Sequence, residues 1–411
     1  MSESMRCSFE GNSYTESARN IPVYGAYDTV VVGGGFAGVA AAIAAARGGN
    51  KVLLCERLFM LGGLGTAGLV TIYLPICDGM GHQVSYGLAE ELLKLSIKDG
   101  YERRYPTPWL ENGTFEEKEQ TRYQVQFNAS SCAILMEQIL LQEGVEILYG
   151  TTVCQAPVED GLITHLIIEN KSGRSAVKVG NVLDCSGDAD VCYYAGEDTA
   201  MFEFGNTLSA WYYEVIDGEF KLNLCGYSDI LKEHRLNSSN NMPEEKQRYS
   251  GVTGEDVSRM MLDSHAFCYD HFLKKGAISP NHMLANIATT PQLRMTRRLV
   301  GCQTVHIEQD KQHFDDSVGL YPNWRKRGPI YELPFSALHG NKIRNLAVAG
   351  RIISASDVLW EVTRVIPVCV VTGEAIGTAA AINKTFDDID ILALQSKLRE
   401  NGVKLHVEEV L

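Results

Sequence analysis

Tyr27-Asp28-Thr29-Val30-Val31-Val32-Gly33-Gly34-Gly35-Phe36-Ala37-Gly38 is the stretch from which the fold can be read. A β-branched run without polar alternation predicts a strand covered on both faces, as in a parallel sheet. The run stops at three glycines. Residues 36–48 are alanine-rich and predict a helix, and Lys51–Glu56 (KVLLCE) predicts a second strand. Together they form a βαβ unit of about thirty residues. Gly33-x-Gly35-x-x-Gly38 falls at its strand-to-helix turn, and Glu56 follows Gly33 by 23 residues at the end of the next strand. Gly33 permits the tight turn, Gly35 lets backbone approach a pyrophosphate, and Gly38 lets helix and strand pack closely. The helix amino end offers unpaired N–H groups and a positive dipole end to phosphates. Glu56 can accept hydrogen bonds from ribose hydroxyls and would repel a 2′-phosphate, which favours ADP-ribose or FAD over NADP. The motif alone does not separate NAD from FAD.

Working outward, Leu61-Gly62-Gly63 follows the acidic residue closely, where a loop could line a ligand. Leu58–Gln126 is loop-rich and holds one clear helix, Tyr86–Lys98. Ser130–Glu143 predicts an amphipathic helix and Val145–Tyr149 a strand. Thr151–Asp184 predicts a three-stranded meander. Its last strand, Asn181–Cys185, runs into Ser186-Gly187-Asp188. Residues 190–340 change character, with more aromatics and polar loops. Asn237–Pro243 reads as a surface loop, and Thr253 with Asp256 as a capping pair opening a helix to about Lys275. Asn345–Ala349 is a last strand, stopping at Gly350-Arg351. After Arg364 comes a small-residue helix, Pro367–Asn383, containing Gly373 and Gly377. Several strand ends meeting one extended ligand is what an elongated FAD requires.

The 411 residues, 45% hydrophobic and 21% charged, belong to a folded globular chain of two or three domains and exclude disorder, coiled coil and fibrous repeat. The balance of 37 basic against 51 acidic residues, net −14, argues against nucleic acid and anionic membrane as partners. The amino terminus has no apolar run that could act as a secretory signal, and Ala40–Ala46 and Val365–Val371 are too short to span a bilayer. Eleven scattered cysteines, none in Cys-x-x-Cys spacing, argue against a disulfide framework, a thioredoxin-like redox pair and a zinc ribbon. The expectation is a cytoplasmic protein without a metal.

The chain resembles the FAD-dependent oxidoreductases of the glutathione-reductase-like flavoprotein fold. The resemblance lies in DTVVVGGGFAGVAAAIAAARGG, LCERLFMLGGLGTAGLV, CDGMGHQVSYGLAEELL, VLDCSGDADV, RMTRRLVG and NLAVAGRIISAS…RVIPVCVVTGEAIGTAAAI, so it covers roughly residues 26–383. It implies an α/β fold. A Rossmann-like FAD-binding domain, with a central parallel sheet and a β-meander crossover, carries an inserted α+β substrate or cap domain. The corresponding division is an amino-terminal arm (1–25), a discontinuous FAD-binding domain (26–75, 126–190 and 341–385), a substrate region (76–125 and 191–340) and a carboxy-terminal segment (386–411). The resemblance further implies noncovalent FAD. Gly33, Gly35, Phe36, Ala37, Gly38 and Glu56 would lie on its ADP half, with Arg57, Gly62 and Gly63 along it. Val153 would contribute backbone near the adenine, with Gly187 and Asp188 nearby. Gly350, Arg351, Arg364, Val365 and the start of the Pro367 helix would lie near the ribityl chain and flavin ring. A helix amino end there could stabilise negative charge on a reduced flavin. No second GxGxxG with a following acidic strand occurs. A stable NAD site is therefore not expected, and reduction would come from substrate or a protein partner.

The expected activity is hydride transfer between a small organic molecule and flavin N5. An electron-relay subunit and a redox-neutral use of FAD are the alternatives, and a homodimer is common in related folds. Thr66 could approach the flavin. In Cys77-Asp78-Gly79-Met80-Gly81-His82, His82 is either a general base or a loop brace, and Cys77 either a reactive thiol or structural. Arg294, Arg297 and Arg298 form an RxxRR cluster beside a strand or helix over 294–305. They suit either a carboxylate substrate or ion pairs with Asp315 or Asp316. Arg364 and Arg298 are the other catalytic candidates. Trp360 and Glu361, in the same loop as Arg364, could tune substrate choice. Trp211, Tyr212 and Tyr213 are either sheet core or a stacking surface.

Overall fold

A computed structural model describes residues 8–10, 13–226, 229, 247–276 and 279–411. Five parallel strands lie side by side in the order Glu146–Leu148, Val52–Cys55, Val23–Val32, Gly173–Asp184 and Leu346–Val348. Gly173–Asp184 is the organising strand. One edge follows Val23–Val32 in parallel. The other pairs antiparallel with His165–Asn170 over its first half and parallel with Leu346–Val348 over its last three residues. Thr152–Gln155 adds the outer antiparallel strand of the meander. The expected strand Asn181–Cys185 is thus the end of a twelve-residue strand. The first strand starts at Val23, four residues before the apolar run and inside the expected arm. Its first two residues are exposed, so hydrophobic periodicity carried no signal there; pairing with Ala176–Lys178 defines them as strand.

The helices Phe36–Arg47 and Ile366–Ile382 lie backbone against backbone. A Cβ added at Gly373 would stand 2.2 Å from the Ala37 carbonyl oxygen, and one at Gly377 2.3 Å from that of Ala41. Small residues one turn apart are what such an approach demands. Burial all round each helix explains why neither shows a polar face. Among the described residues no helix is by itself long and apolar enough to cross a membrane.

Over 199–299 the chain forms an antiparallel three-stranded sheet, Glu219–Asn223, Tyr212–Ile216 and His282–Ile287, packed by the helix Gly254–Lys274. Thr253 caps that helix by accepting the Asp256 N–H at 3.3 Å. Asp256 does not return the bond; its carboxylate accepts from Ser250 Oγ and Gly251 N, both at 2.9 Å. Tyr212 and Tyr213 are buried, so that pair is sheet core. Of 294–305 only Arg297–Leu299 is regular, a short strand paired with Thr199–Met201. Trp360 and Glu361 lie in a helix, Asp357–Thr363, rather than a loop. The expected surface loop Asn237–Pro243 lies outside the described residues.

Candidate functional site

Because the parallel strands run in one direction, their carboxyl ends meet at one edge of the sheet, where ligands of open α/β sheets bind. Val32, Cys55, Cys185 and Ala349, the residues that end or follow four of them, line a single cavity of about 750 Å³. That is a large volume for a ligand pocket.

The three motif glycines have three separate reasons. Gly33 has φ +101°, and a Cβ there would lie 2.4 Å from the Cys185 carbonyl oxygen. At Gly38 a Cβ would lie 1.8 Å from the Gly33 carbonyl oxygen. Gly38 is therefore a packing residue and does not line the cavity. At Gly35 a Cβ would meet nothing within 4 Å, although the residue lines the cavity. Gly35 therefore faces open cavity space. Gly35 also precedes the helix Phe36–Arg47 without a side-chain cap, so no side chain takes up its amino-terminal N–H groups.

Glu56 is buried and lines the cavity. Its carboxylate accepts from Gly34 N at 2.6 Å and Leu58 N at 2.7 Å. About two of its four acceptor positions remain for a ligand. Arg57, Gly62, Gly63, Phe36, Ala37 and Val153 also line the cavity. A parallel bridge joins Gly35 to Gly62, tying the 61–65 loop to the fingerprint turn. Thr66, by contrast, is buried and off the cavity, its hydroxyl donated to the Leu61 carbonyl.

The turn at Gly187 and Asp188 is held from below by Asp184. That buried carboxylate accepts from Ser186, Val191 and Cys192 N–H groups. Asp188 accepts from Thr296 Oγ1 at 2.7 Å and Arg351 Nη2 at 2.9 Å, so it is an anchor for Arg351. Asp190 also lines the cavity. Burial, then the charge of Asp188, pushes its carboxyl up to about 6 despite the Arg297 guanidinium at 2.8 Å. Gly350 donates to Thr372 Oγ1 at 2.9 Å, joining that strand end to the helix Ile366–Ile382. Val365 precedes this helix without a side-chain cap, and Val365, Ile366 and Cys369 form cavity wall.

The RxxRR cluster is divided by the fold. Arg294 lines the cavity and pairs with Asp229 at 2.8 Å. Arg297 pairs with Asp190. Arg298 is off the cavity, 5.7 Å from the Trp360 ring centroid and donating to the Leu299 carbonyl. Among the described residues, Asp315 and Asp316 pair with none of these arginines. His82 is off the cavity as well. Its Nδ1 stands 2.9 Å from Asp78 Oδ2, and its ring packs edge-on against Phe115. Asp78 also accepts from Met80 and His82 N–H groups, which is loop bracing. Cys77 is buried and accepts the Tyr123 N–H, and burial pushes its thiol up. Trp211 lines the cavity, unlike Tyr212 and Tyr213.

Trp324, Arg325, Gln292, Asp190 and Arg104 are cavity residues that sequence reasoning missed. Only the Trp324-Arg325 pair carries a compositional signal, and nothing in its neighbourhood marks it as near the fingerprint. Elsewhere, His313, Glu332 and His406 bring potential metal-ligand atoms within 4.8 Å of one another. There the Glu332 carboxylate receives Phe314 N and Val407 N, which ties down the carboxy-terminal segment.

The sequence model of the FAD dependent oxidoreductase family matches residues 28–249 and 235–398. The chain belongs to this family, and FAD is its cofactor. A thioredoxin reductase of Ureaplasma parvum is 37% identical over 76 residues, which are 18% of this chain and 25% of that protein. The match thus spans about a quarter of that curated relative. Among solved structures, p-nitrophenol 4-monooxygenase from Pseudomonas putida is 12% identical, with a TM-score of 0.45, covering 92% of this chain and 82% of that one. A geranylgeranyl bacteriochlorophyll reductase-like protein from Thermoplasma acidophilum is also 12% identical, with a TM-score of 0.41 and the same coverage.

Proposed function

We propose that this protein is a dehydrogenase or reductase that exchanges a hydride between a small organic molecule and FAD. The observation that carries the reading is the single cavity running from the Gly33–Gly38 turn to the uncapped start of the helix Ile366–Ile382. An elongated dinucleotide needs a cradle for its central diphosphate, a site for the adenosine on one side and a shielded ring site on the other. The open Gly35 position and free helix N–H groups suit the diphosphate, and Glu56 suits the adenosine ribose. Arg57, Gly62, Gly63, Val153, Gly187 and Asp188 share the cavity wall and would follow the dinucleotide, with Val153 near the adenine. Gly350, Arg351, Val365 and the following helix start would border the flavin. When bound, the flavin supplies a two-electron acceptor at N5. The protein's part is then to hold the substrate beside it and keep water out. The apolar wall of Val70, Ile72, Leu74 and Trp211 serves that end.

The domain division follows from the same reading. Segments 26–75, 126–190 and 341–385 form the cofactor domain, and 76–125 with 191–340 the substrate region. The test is FAD titration of purified protein, then anaerobic addition of carboxylic acids, amines, sugars and polyols while the flavin band is watched. Uptake of FAD and bleaching by one substrate class are expected. A folded protein that neither carries nor takes up FAD would refute the reading.

A further inference from the structure

We propose that the cavity holds a carboxylate-binding subsite at the start of the helix Ile366–Ile382, with Arg364 as the residue that grips the substrate's carboxylate. The inference rests on the oxidoreductase reading for its chemistry, but its binding test does not.

Arg294, Arg325 and Arg364 come from three distant parts of the chain and line the same cavity. The charged groups acting on Arg364 are Glu361, Arg294, Asp229 and Arg325. Among the described residues, three guanidinium groups face two carboxylates, 3 − 2 = +1. Excess positive charge in a recess is costly unless an anion arrives to balance it.

The two carboxylates are already engaged by the other arginines. Arg294 donates to Asp229 at 2.8 Å and to Ser209 Oγ at 2.7 Å. Arg325 donates to Glu361. Arg364 reaches Glu361 only at 3.5 Å, the outer limit of a hydrogen bond, and its buried Nε has no hydrogen-bond partner. Its side chain is 17% exposed. Burial, opposed by Glu361, pulls the Arg364 guanidinium down to about 10. A planar donor fork with unspent N–H groups, in a cation-rich recess, matches the geometry of a carboxylate. The adjacent uncapped helix start adds positive potential. Trp211 and Trp324, on the same cavity, offer apolar surface for the rest of the molecule. A substrate of this subsite is an organic acid with a planar or apolar body; amines would meet like charge.

The test titrates benzoate, its neutral isostere benzamide, and inorganic phosphate into FAD-loaded protein, read by the flavin difference spectrum and by calorimetry. Benzoate should bind at least tenfold more tightly than benzamide. Its affinity should fall at least tenfold in Arg364→Gln and rise severalfold in Glu361→Gln, which removes a negative charge beside Arg364, while both variants retain FAD. A purely structural role for Glu361 predicts no such rise. Equal binding of benzoate and benzamide, tightest binding of phosphate, displacement of FAD by benzoate, or unchanged benzoate affinity in Arg364→Gln would each overturn the subsite. Should Arg364→Gln not fold, the benzamide comparison and Glu361→Gln decide. Should the chain take up no FAD, the oxidoreductase reading fails, and calorimetry on the flavin-free chain still decides the subsite.

Discussion

Glu374 sits in the middle of the helix whose amino end borders the cavity, and its replacement by glutamine gives a direct test of the packing described. The side chain is buried between that helix and Leu88–Ser96, accepting the Leu88 N–H at 2.8 Å. No cation is within salt-bridge distance among the described ion pairs, and burial pushes the carboxyl up to about 8 from 4.5. A raised acid binds its proton more tightly in the folded than in the unfolded chain. Its contribution is therefore fully present below 4.5 and is lost as pH rises toward 8. Between about pH 5 and about pH 7.5 the loss amounts to about 3 kcal/mol, taking 1.36 kcal/mol per pH unit. For a chain of this length that is about 3–4 °C in the unfolding midpoint. Glu374→Gln keeps the shape and the acceptor for Leu88 but has no proton to lose. Thermal unfolding of parent and variant across that window should show the variant gaining about 3–4 °C on the parent as pH rises. Contributions from all other groups cancel in the comparison. A constant difference between the two curves would show that Glu374 is not held protonated, and would refute the burial of its carboxyl against Leu88.

Other substitutions separate the roles of the site residues. Gly35→Val should abolish FAD retention with little change in the unfolding midpoint of the FAD-free protein, because its Cβ would enter open cavity; Gly38→Ala should lower both, since its Cβ would meet the Gly33 carbonyl oxygen at 1.8 Å. Absorbance ratio and thermal unfolding report the two effects. His82→Gln should leave FAD content and substrate bleaching unchanged in stopped-flow measurements, as its imidazole faces Asp78 and Phe115 rather than the cavity. Lys275→Met should cost about 2 kcal/mol in urea unfolding at neutral pH, because it removes the lysine charge from the buried carboxylate of Glu214 and leaves it to Asn223 and His282. Burial raises that carboxyl, but hydrogen bonds from Lys275, Asn223 and His282 outweigh it and hold it at about 2. The stabilisation is thus present above 4.5 and lost as pH falls toward 2, so the cost of the substitution should shrink over that range.

The parts of the fold readable from sequence are those written in short-range chemistry. A β-branched run, a glycine turn, an alanine-rich helix and a terminal acid must lie close together because the chain leaves them no other course. Their observed bounds, Val23–Val32, Phe36–Arg47 and Val52–Cys55, depart from the reading mainly where pairing rather than hydrophobicity defines the strand. The meander was legible from its turns, but the length of Gly173–Asp184 was not. Its second half changes partners without any change in residue pattern.

Residue type misled where direction mattered. His82 and Cys77 stand in a glycine-broken loop of the sort that often carries catalysis, yet His82 faces Asp78, Cys77 accepts the Tyr123 N–H, and neither lines the cavity. Arg294, Arg297 and Arg298 are neighbours in sequence and go to three different places, because alternate strand residues face opposite ways and the chain before Arg297 is irregular. Arg294 instead meets Arg325 and Arg364 across the cavity. Local sequence sets the backbone that cradles a dinucleotide. Which side chains face that cradle is set by strand order and helix packing, where each contact joins residues tens to hundreds of positions apart. The charge of the recess around Arg364 exists only once those distant segments are brought together.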